Sequence, residues 1–66
     1  MDSIEIWRSA AALVLHYKTD ASERAALRAL ALRNAGDLDG FSEWCRIGSA
    51  VLELQRARPD VPDLIN

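Results

Sequence analysis

Residues 36–44 carry the strongest local signals in the chain and read Gly36-Asp37-Leu38-Asp39-Gly40-Phe41-Ser42-Glu43-Trp44. Glycine adopts the left-handed conformation that often ends a helix, and aspartate is among the residues preferred at the start of the next helix. We therefore expect one helix to end at Gly36, with a positive φ there, and another to begin after Asp37. Trp44 lies on the apolar side of that second helix and is expected to be substantially buried.

The helix that follows Asp37 is expected to be the longest element. Its apolar residues keep helical spacing and are Phe41, Trp44, Cys45, Ile47, Gly48, Val51, Leu52 and Leu54. This pattern predicts a helix over about 38–57, because Pro59 forces the residue before it out of helical geometry. Gly40 and Gly48 lie inside the helix, where we expect each to allow close approach of a neighbouring, alanine-bearing helix.

The first helix is predicted over about 3–17. Asp2 and Glu5 have the spacing of a capping box, with aspartate in place of the usual serine or threonine. Two neighbouring apolar stripes follow, Ile4-Trp7-Ala11-Val14 and Ile6-Ala10-Leu13-Tyr17. Together they predict a wide buried face.

The second helix is predicted over about 21–34, after a short turn. Asp20 and Glu23 repeat the capping pattern, and the residues that follow are almost all strong helix formers. We expect Leu27 and Leu30 to anchor the packing face of this helix. The residues expected beside them are Ala26, Ala31 and Asn34.

Three helices joined by short turns predict an all-α fold, a small up-down-up three-helix bundle over residues 1–58 with an extended C-terminal tail over 59–66. Half of the 66 residues are apolar, but many of these are alanines, which bury little area. The core should therefore be thin. The single cysteine, Cys45, cannot close an internal disulfide, which leaves efficient helix packing or self-association as the source of stability. Helices 1 and 3 offer more apolar surface than a small, alanine-rich second helix can cover, so we expect self-association, most simply as a symmetric dimer.

The residues typical of catalysis or of metal binding do not form a recognisable pattern. His16 is the only histidine and Cys45 the only cysteine, so a zinc site would need carboxylates that no spacing motif supports. Cys45 lies between Trp44 and Ile47, which favours a buried structural thiol over a nucleophile. We therefore expect no enzyme and no catalytic, cofactor-binding or metal site.

Charge and hydropathy argue against nucleic-acid and membrane partners. A net charge of −2 is unfavourable for nucleic-acid binding. If the second and third helices formed a helix-turn-helix motif, the DNA phosphates would approach three acidic residues, Asp37, Asp39 and Glu43, and be repelled. No apolar run approaches the roughly 20 residues that span a bilayer, and no signal peptide is recognisable. We expect a cytoplasmic protein without nucleic-acid, membrane or small-molecule partners.

The remaining candidates for function lie on the helix surfaces. Arg24 and Arg28 share one face of the second helix and are candidate contacts for an acidic protein partner. The aromatic residues are expected to pack in the core, although two indoles are hard to bury completely in a small bundle. An exposed tryptophan would be typical of an interface anchor. These aromatic residues are Trp7, Tyr17, Phe41 and Trp44.

A longer spacing pattern includes Trp7-x-x-Ala10-x-x-Leu13 and Gly36-Asp37-x-x-Gly40-x-x-x-Trp44-x-x-Ile47-x-x-Ala50-x-x-x-Leu54. It resembles a family of short alphaproteobacterial helical proteins of unknown function. The resemblance extends to Gln55 and leaves the chain from Arg58 onward outside the pattern. It implies a similar small helical fold and adds no activity, substrate or cofactor.

Two functions remain open at this point. The first is a non-enzymatic protein–protein interaction module that homodimerises, or docks on a larger partner, through an apolar helical face. The second is a phage- or mobile-element-borne inhibitor of a bacterial defence complex, similar to an anti-CRISPR protein. Such an inhibitor would also be short, acidic and free of catalytic motifs, so the sequence alone does not separate the two.

Overall fold

A computed structural model of the chain describes residues 2–56, and the backbone over this range is helical apart from short connections. The elements are α1 over Ser3–Tyr17, a single 3-10 turn over Lys18–Asp20, α2 over Ala21–Asn34 and α3 over Leu38–Arg56. The all-α prediction is confirmed. The predicted tail over 59–66, and residue 57 of the helix predicted over 38–57, lie outside the described residues.

Gly36 and Asp37 form the turn between α2 and α3 as predicted. Gly36 has a φ of 84°, and its N–H donates to the carbonyl of Arg33 at 3.0 Å. The N–H of Asp37 donates to the carbonyl of Leu32 at 2.9 Å, which completes the hydrogen-bond pair of a Schellman motif. The Asp37 Oδ1 atom then accepts the N–H of Gly40 at 2.9 Å and so caps α3.

Gly40 and Gly48 serve different purposes, and the prediction made for Gly40 is wrong. A Cβ atom at position 40 would lie 2.6 Å from the Asp37 Oδ2 atom, so this glycine makes room for the capping carboxylate and not for another helix. At Gly48 the expected alanine neighbour is present. A Cβ atom added there would lie 3.6 Å from the Cβ of Ala25, which is ordinary van der Waals contact between α2 and α3.

The core is formed mostly by small side chains. α3 contacts both α1 and α2, and its interface with α2 is the more extensive. Leu13, Val14, Trp44 and Leu54 are partly buried against this core. Five of the eight buried residues in the described range are alanines, so the core there is as thin as the composition predicts. The buried residues are Ile6, Ala10, Ala21, Ala25, Ala29, Ile47, Ala50 and Val51.

The packing face predicted for α2 is wrong. Leu27 and Leu30 are 53% and 47% exposed, whereas Ala21, Ala25 and Ala29 are buried. These three alanines recur every four residues and form a ridge with no side-chain bulk beyond Cβ. Because the distance between helix axes depends on the side chains at the contact, this ridge lets α2 lie closer to α3 than a leucine face would.

The connection between α1 and α2 contains the one residue other than glycine with a positive φ in the described range, Lys18, at φ 53° and ψ −121°. Its carbonyl accepts the Gln55 Nε2–H at 2.8 Å, which ties the turn to the end of α3. The Lys18 Nζ donates to the carbonyl of Leu15 at 3.0 Å. A side chain with a Cβ is strained in this region of φ and ψ, and the surrounding hydrogen bonds hold the conformation in place.

The two capping boxes predicted near the N-terminal ends of α1 and α2 have different outcomes. The Asp2 Oδ1 atom accepts the N–H of Glu5 at 3.0 Å and caps α1 as predicted. Asp20 makes no capping hydrogen bond through its side chain, so the second prediction is wrong. The physical reason is that Asp20 ends the 3-10 turn at φ −90° and ψ 1°, whereas a capping residue typically adopts the β region.

We expect the variant Lys18→Gly to be more stable than the wild type by about 1 kcal/mol, because glycine relieves the backbone strain at this position. Chemical denaturation followed by circular dichroism measures the change. Lys18→Ala is the matched control, since it removes the same Nζ hydrogen bond but keeps the strain. A Lys18→Gly protein that is no more stable than Lys18→Ala would contradict the assignment of strain.

Removing the cap on α3 should weaken the fold. We expect Asp37→Ala to lower the free energy of unfolding by about 1 kcal/mol, because the N–H of Gly40 loses its acceptor. Asp37→Asn keeps a side-chain oxygen at the same place and should retain most of the stability. If thermal unfolding shows equal losses of stability for the two variants, the capping hydrogen bond does not account for the effect of Asp37→Ala.

Candidate protein-binding surfaces

Eight large apolar side chains are exposed in the described range. Isolated exposed apolar residues are normal on a protein surface, but contiguous ones mark interaction sites. Several of these residues recur at helical spacing, so they form stripes along the helices. They are Ile4, Trp7, Leu15, Tyr17, Leu27, Leu30, Leu38 and Leu52.

One stripe runs along α1, and we call it the α1 surface: Ile4, Trp7, Ala11 and Leu15. Its members follow one another at intervals of three or four residues, so they lie on one side of the helix. Ile4 is 65% exposed, Trp7 44% and Leu15 67%, and Ala11 is exposed as well. The wide buried face predicted for α1 is therefore wrong for Ile4, Trp7 and Ala11, whereas Val14, the last residue of that predicted stripe, packs against the core.

The neighbouring stripe of α1 supplies the contacts with the rest of the molecule. Ile6 and Ala10 are buried, and Leu13 packs against the same core. Tyr17 continues this stripe but is 41% exposed. Val14 also packs against the core, so α1 uses this side for folding. The described residues place no element over the α1 surface.

A second surface is the groove between α2 and α3, which we call the hairpin groove. Small residues from both helices form most of it, and within residues 2–56 the large side chains that line it are Trp44 and Leu52. None of the lining residues in this range carries a charge. They are Ser22, Ala26, Ala29, Trp44, Cys45, Gly48, Ser49 and Leu52.

Cys45 lies in the hairpin groove with its thiol exposed, so the prediction of a buried structural thiol is wrong. Each step along a helix turns the side chain by about 100°, which carries Cys45 away from the core that Trp44 packs against. The only histidine, His16, lies in the last turn of α1, where its ring centroid is 6.5 Å from that of Tyr17.

Arg24 and Arg28 each cover an aromatic ring. The Arg24 Cζ atom lies 4.7 Å from the centroid of the Tyr17 ring, and the Arg28 Cζ atom lies 5.8 Å from the centroid of a Trp44 ring. Cation–π contacts of this kind stabilise by about 0.5–1 kcal/mol at exposed sites. The two arginines thus connect α2 to α1 and to α3. Their contact with an acidic partner stays a prediction.

The aromatic residues divide between the core and the surface. Trp44 and Phe41 are partly buried, so the core prediction holds for them only in part. It is wrong for Trp7, whose indole is exposed. This agrees with the expectation that a small bundle cannot easily bury two indoles. The exposed position of Trp7 could not be read from periodicity, since both stripes of α1 have the same helical spacing.

The same range contains neither a candidate metal-binding cluster nor a candidate membrane-spanning helix. Among residues 2–56, no three or more histidine, cysteine, aspartate or glutamate side chains are grouped so that they could hold a metal ion. No helix within this part of the chain is both long enough and apolar enough to cross a membrane.

Comparison of the chain with protein-family models, with curated proteins and with solved structures finds no significant match. The resemblance to the alphaproteobacterial family stays a prediction from the spacing of Gly36, Asp37, Gly40 and Trp44. Function is therefore inferred from the surfaces of the molecule.

At low protein concentration, the Cys45 thiol should react with a maleimide in the native protein almost as fast as in denaturant, because it is exposed. A matched buried thiol is obtained by combining Cys45→Ser with Val51→Cys, since Val51 is fully buried on the same helix. That thiol should react much more slowly in the native protein. Equal native rates for the two thiols would contradict the described position of Cys45.

Proposed function

We propose that this chain is a non-enzymatic protein–protein interaction module, folded as a small three-helix bundle, which binds a partner protein through the α1 surface. The observation that carries the proposal is the exposure of Trp7 at the centre of an apolar stripe, between Ile4 and the more distant Leu15. A cytoplasmic location agrees with the exposed, unpaired thiol of Cys45, because a reducing compartment keeps such a thiol free.

The geometry of the α1 surface suits insertion of α1 into an apolar groove of the partner. Helices recognised in this way present apolar anchors at intervals of three or four residues. From Ile4 to Leu15 the stripe extends for about 16 Å, or roughly three turns. Tryptophan is enriched among the residues that dominate binding energies, and Trp7 occupies the position of such an anchor.

The same helix can bind a partner without unfolding the domain. Ile6 and Ala10 hold α1 against the core from the other side, so the α1 surface is not needed for the fold. Because α1 is already helical before binding, the partner does not have to order a disordered segment, which lowers the entropic cost of association. The fold thus acts as a rigid support for one exposed helix face.

Trp7→Ala should weaken capture of the partner by about 30-fold, which corresponds to an anchor worth about 2 kcal/mol. The measurement is affinity capture from a lysate of the native host with quantitative mass spectrometry, repeated with Leu15→Ala. Leu27→Ala is the matched control, because Leu27 is a similarly exposed leucine on α2 and lies outside the α1 surface.

Circular dichroism of each variant should show unchanged helicity, since all three side chains are exposed. Capture that survives both α1 variants, or that Leu27→Ala abolishes equally, would contradict the proposal. The identity of the captured protein distinguishes a defence complex from another kind of partner.

A further inference from the structure

We infer that the hairpin groove is a self-association surface, and that its occupant is the α2–α3 hairpin of a second copy of this chain, related by a two-fold axis. The inference rests on the proposed function, since it names one partner of the module, but it concerns a surface separate from the α1 surface. The two can therefore succeed or fail independently.

The shape of the groove admits another helix. Its α2 side is formed by Ser22, Ala26 and Ala29, and its α3 side includes Gly48 and Ser49, none of which extends far from the backbone. From Trp44 to Leu52 the groove follows α3 for about 12 Å, or roughly two helical turns. A helix laid along it would meet small residues in the centre and the large Leu52 side chain towards one end.

A line of exposed residues on α3 continues this surface beyond the groove. Leu38, Cys45 and Leu52 are separated by seven residues each, and all three are exposed. A seven-residue repeat keeps side chains on one line along a helix and is the spacing with which helices pack into bundles. Leu38 and Leu52 are 66% and 56% exposed, so most of their apolar surface is uncovered in the monomer.

The absence of charge among the lining residues favours a second copy as the occupant. In a two-fold interface the same patch meets itself, so a charge near the axis is brought close to its own like charge. Charged residues make up 27% of the chain, yet none of those within residues 2–56 lines the hairpin groove. A patch of this composition can pair with itself without like-charge repulsion or unpaired buried ions.

The size of the α2–α3 face also fits a dimer. Two helices about 10 Å wide, side by side over about 21 Å, project about 420 Å², and their side-chain relief increases the accessible area further. Specific interfaces bury about 600–1,000 Å² on each partner. α1 alone offers about half the projected area, so the hairpin is the better of the two surfaces for a stable homodimer.

Pairing two hairpins would place four helices around a shared apolar centre. Within residues 2–56, three buried residues are larger than alanine, namely Ile6, Ile47 and Val51. In the dimer, Leu52 and the groove side of Trp44 would add to the buried apolar area. The α1 surface is not part of this pairing.

Sedimentation equilibrium across a concentration series tests the inference. The wild type should shift from the monomer mass of 7.3 kDa to twice that mass as concentration rises. Leu52→Glu should stay monomeric where the wild type is dimeric, with dimerisation weakened at least 100-fold, because it places like charges in an apolar interface. The matched control is Leu27→Glu, which alters a leucine of nearly equal exposure outside the groove and should dimerise like the wild type.

A second pair of variants covers the case in which Leu52→Glu does not fold. Ala26→Glu changes a lining residue of the groove, and Ala12→Glu changes an exposed alanine on α1. Only the first should prevent dimerisation. The maleimide reaction of Cys45 gives an independent readout: it should slow as wild-type concentration rises and stay fast in the monomeric variant.

The outcomes that overturn the inference are a wild type that stays monomeric at millimolar concentration, groove variants that dimerise normally, and control variants that lose dimerisation equally. If the wild type stays monomeric but Trp7→Ala loses partner capture, the dimer is refuted and the α1 surface is not. If the wild type dimerises normally but partner capture survives the α1 variants, the α1 surface is refuted and the dimer is not.

Discussion

Asp37 makes two hydrogen bonds on which the arrangement of α2 and α3 depends. Its N–H donates to the carbonyl of Leu32 and its Oδ1 atom accepts the N–H of Gly40, so one residue completes the end of α2 and the start of α3. The left-handed conformation of Gly36 makes this turn possible within three residues. The two helices consequently lie side by side along a long interface, and α1 packs against α3.

The closeness of that interface explains why the surface of the molecule is so apolar. Ala25 faces Gly48, where an added Cβ atom would lie 3.6 Å from the Cβ of Ala25, and the buried side of α2 consists of alanines. A ridge of this kind stabilises the helix pair through close packing but buries little area per residue. Leu27 and Leu30 are left on the outside as a result, where they contribute little to the stability of the monomer.

A small domain with this core has a low free energy of unfolding, so each local interaction contributes a larger fraction of its stability. The strained Lys18 is tolerated because its carbonyl is tied to Gln55 and its side chain to Leu15. Arg24 and Arg28 add contacts with aromatic rings where the core offers few large side chains. The apolar stripes that remain exposed are available for binding because folding does not use them.

Local chemistry alone determined the helix boundaries, the caps at Asp2 and Asp37 and the positive φ of Gly36, since each depends on residues within a few positions of one another. Only the tertiary structure decided which of the two α1 stripes is buried, that α2 packs through alanines and that Cys45 lies open in a groove. The physical reason is that helical periodicity shows which residues share a face, whereas burial depends on how closely a neighbouring helix can approach that face. That approach involves residues far apart in the chain, such as Ala25 on α2 and Gly48 on α3.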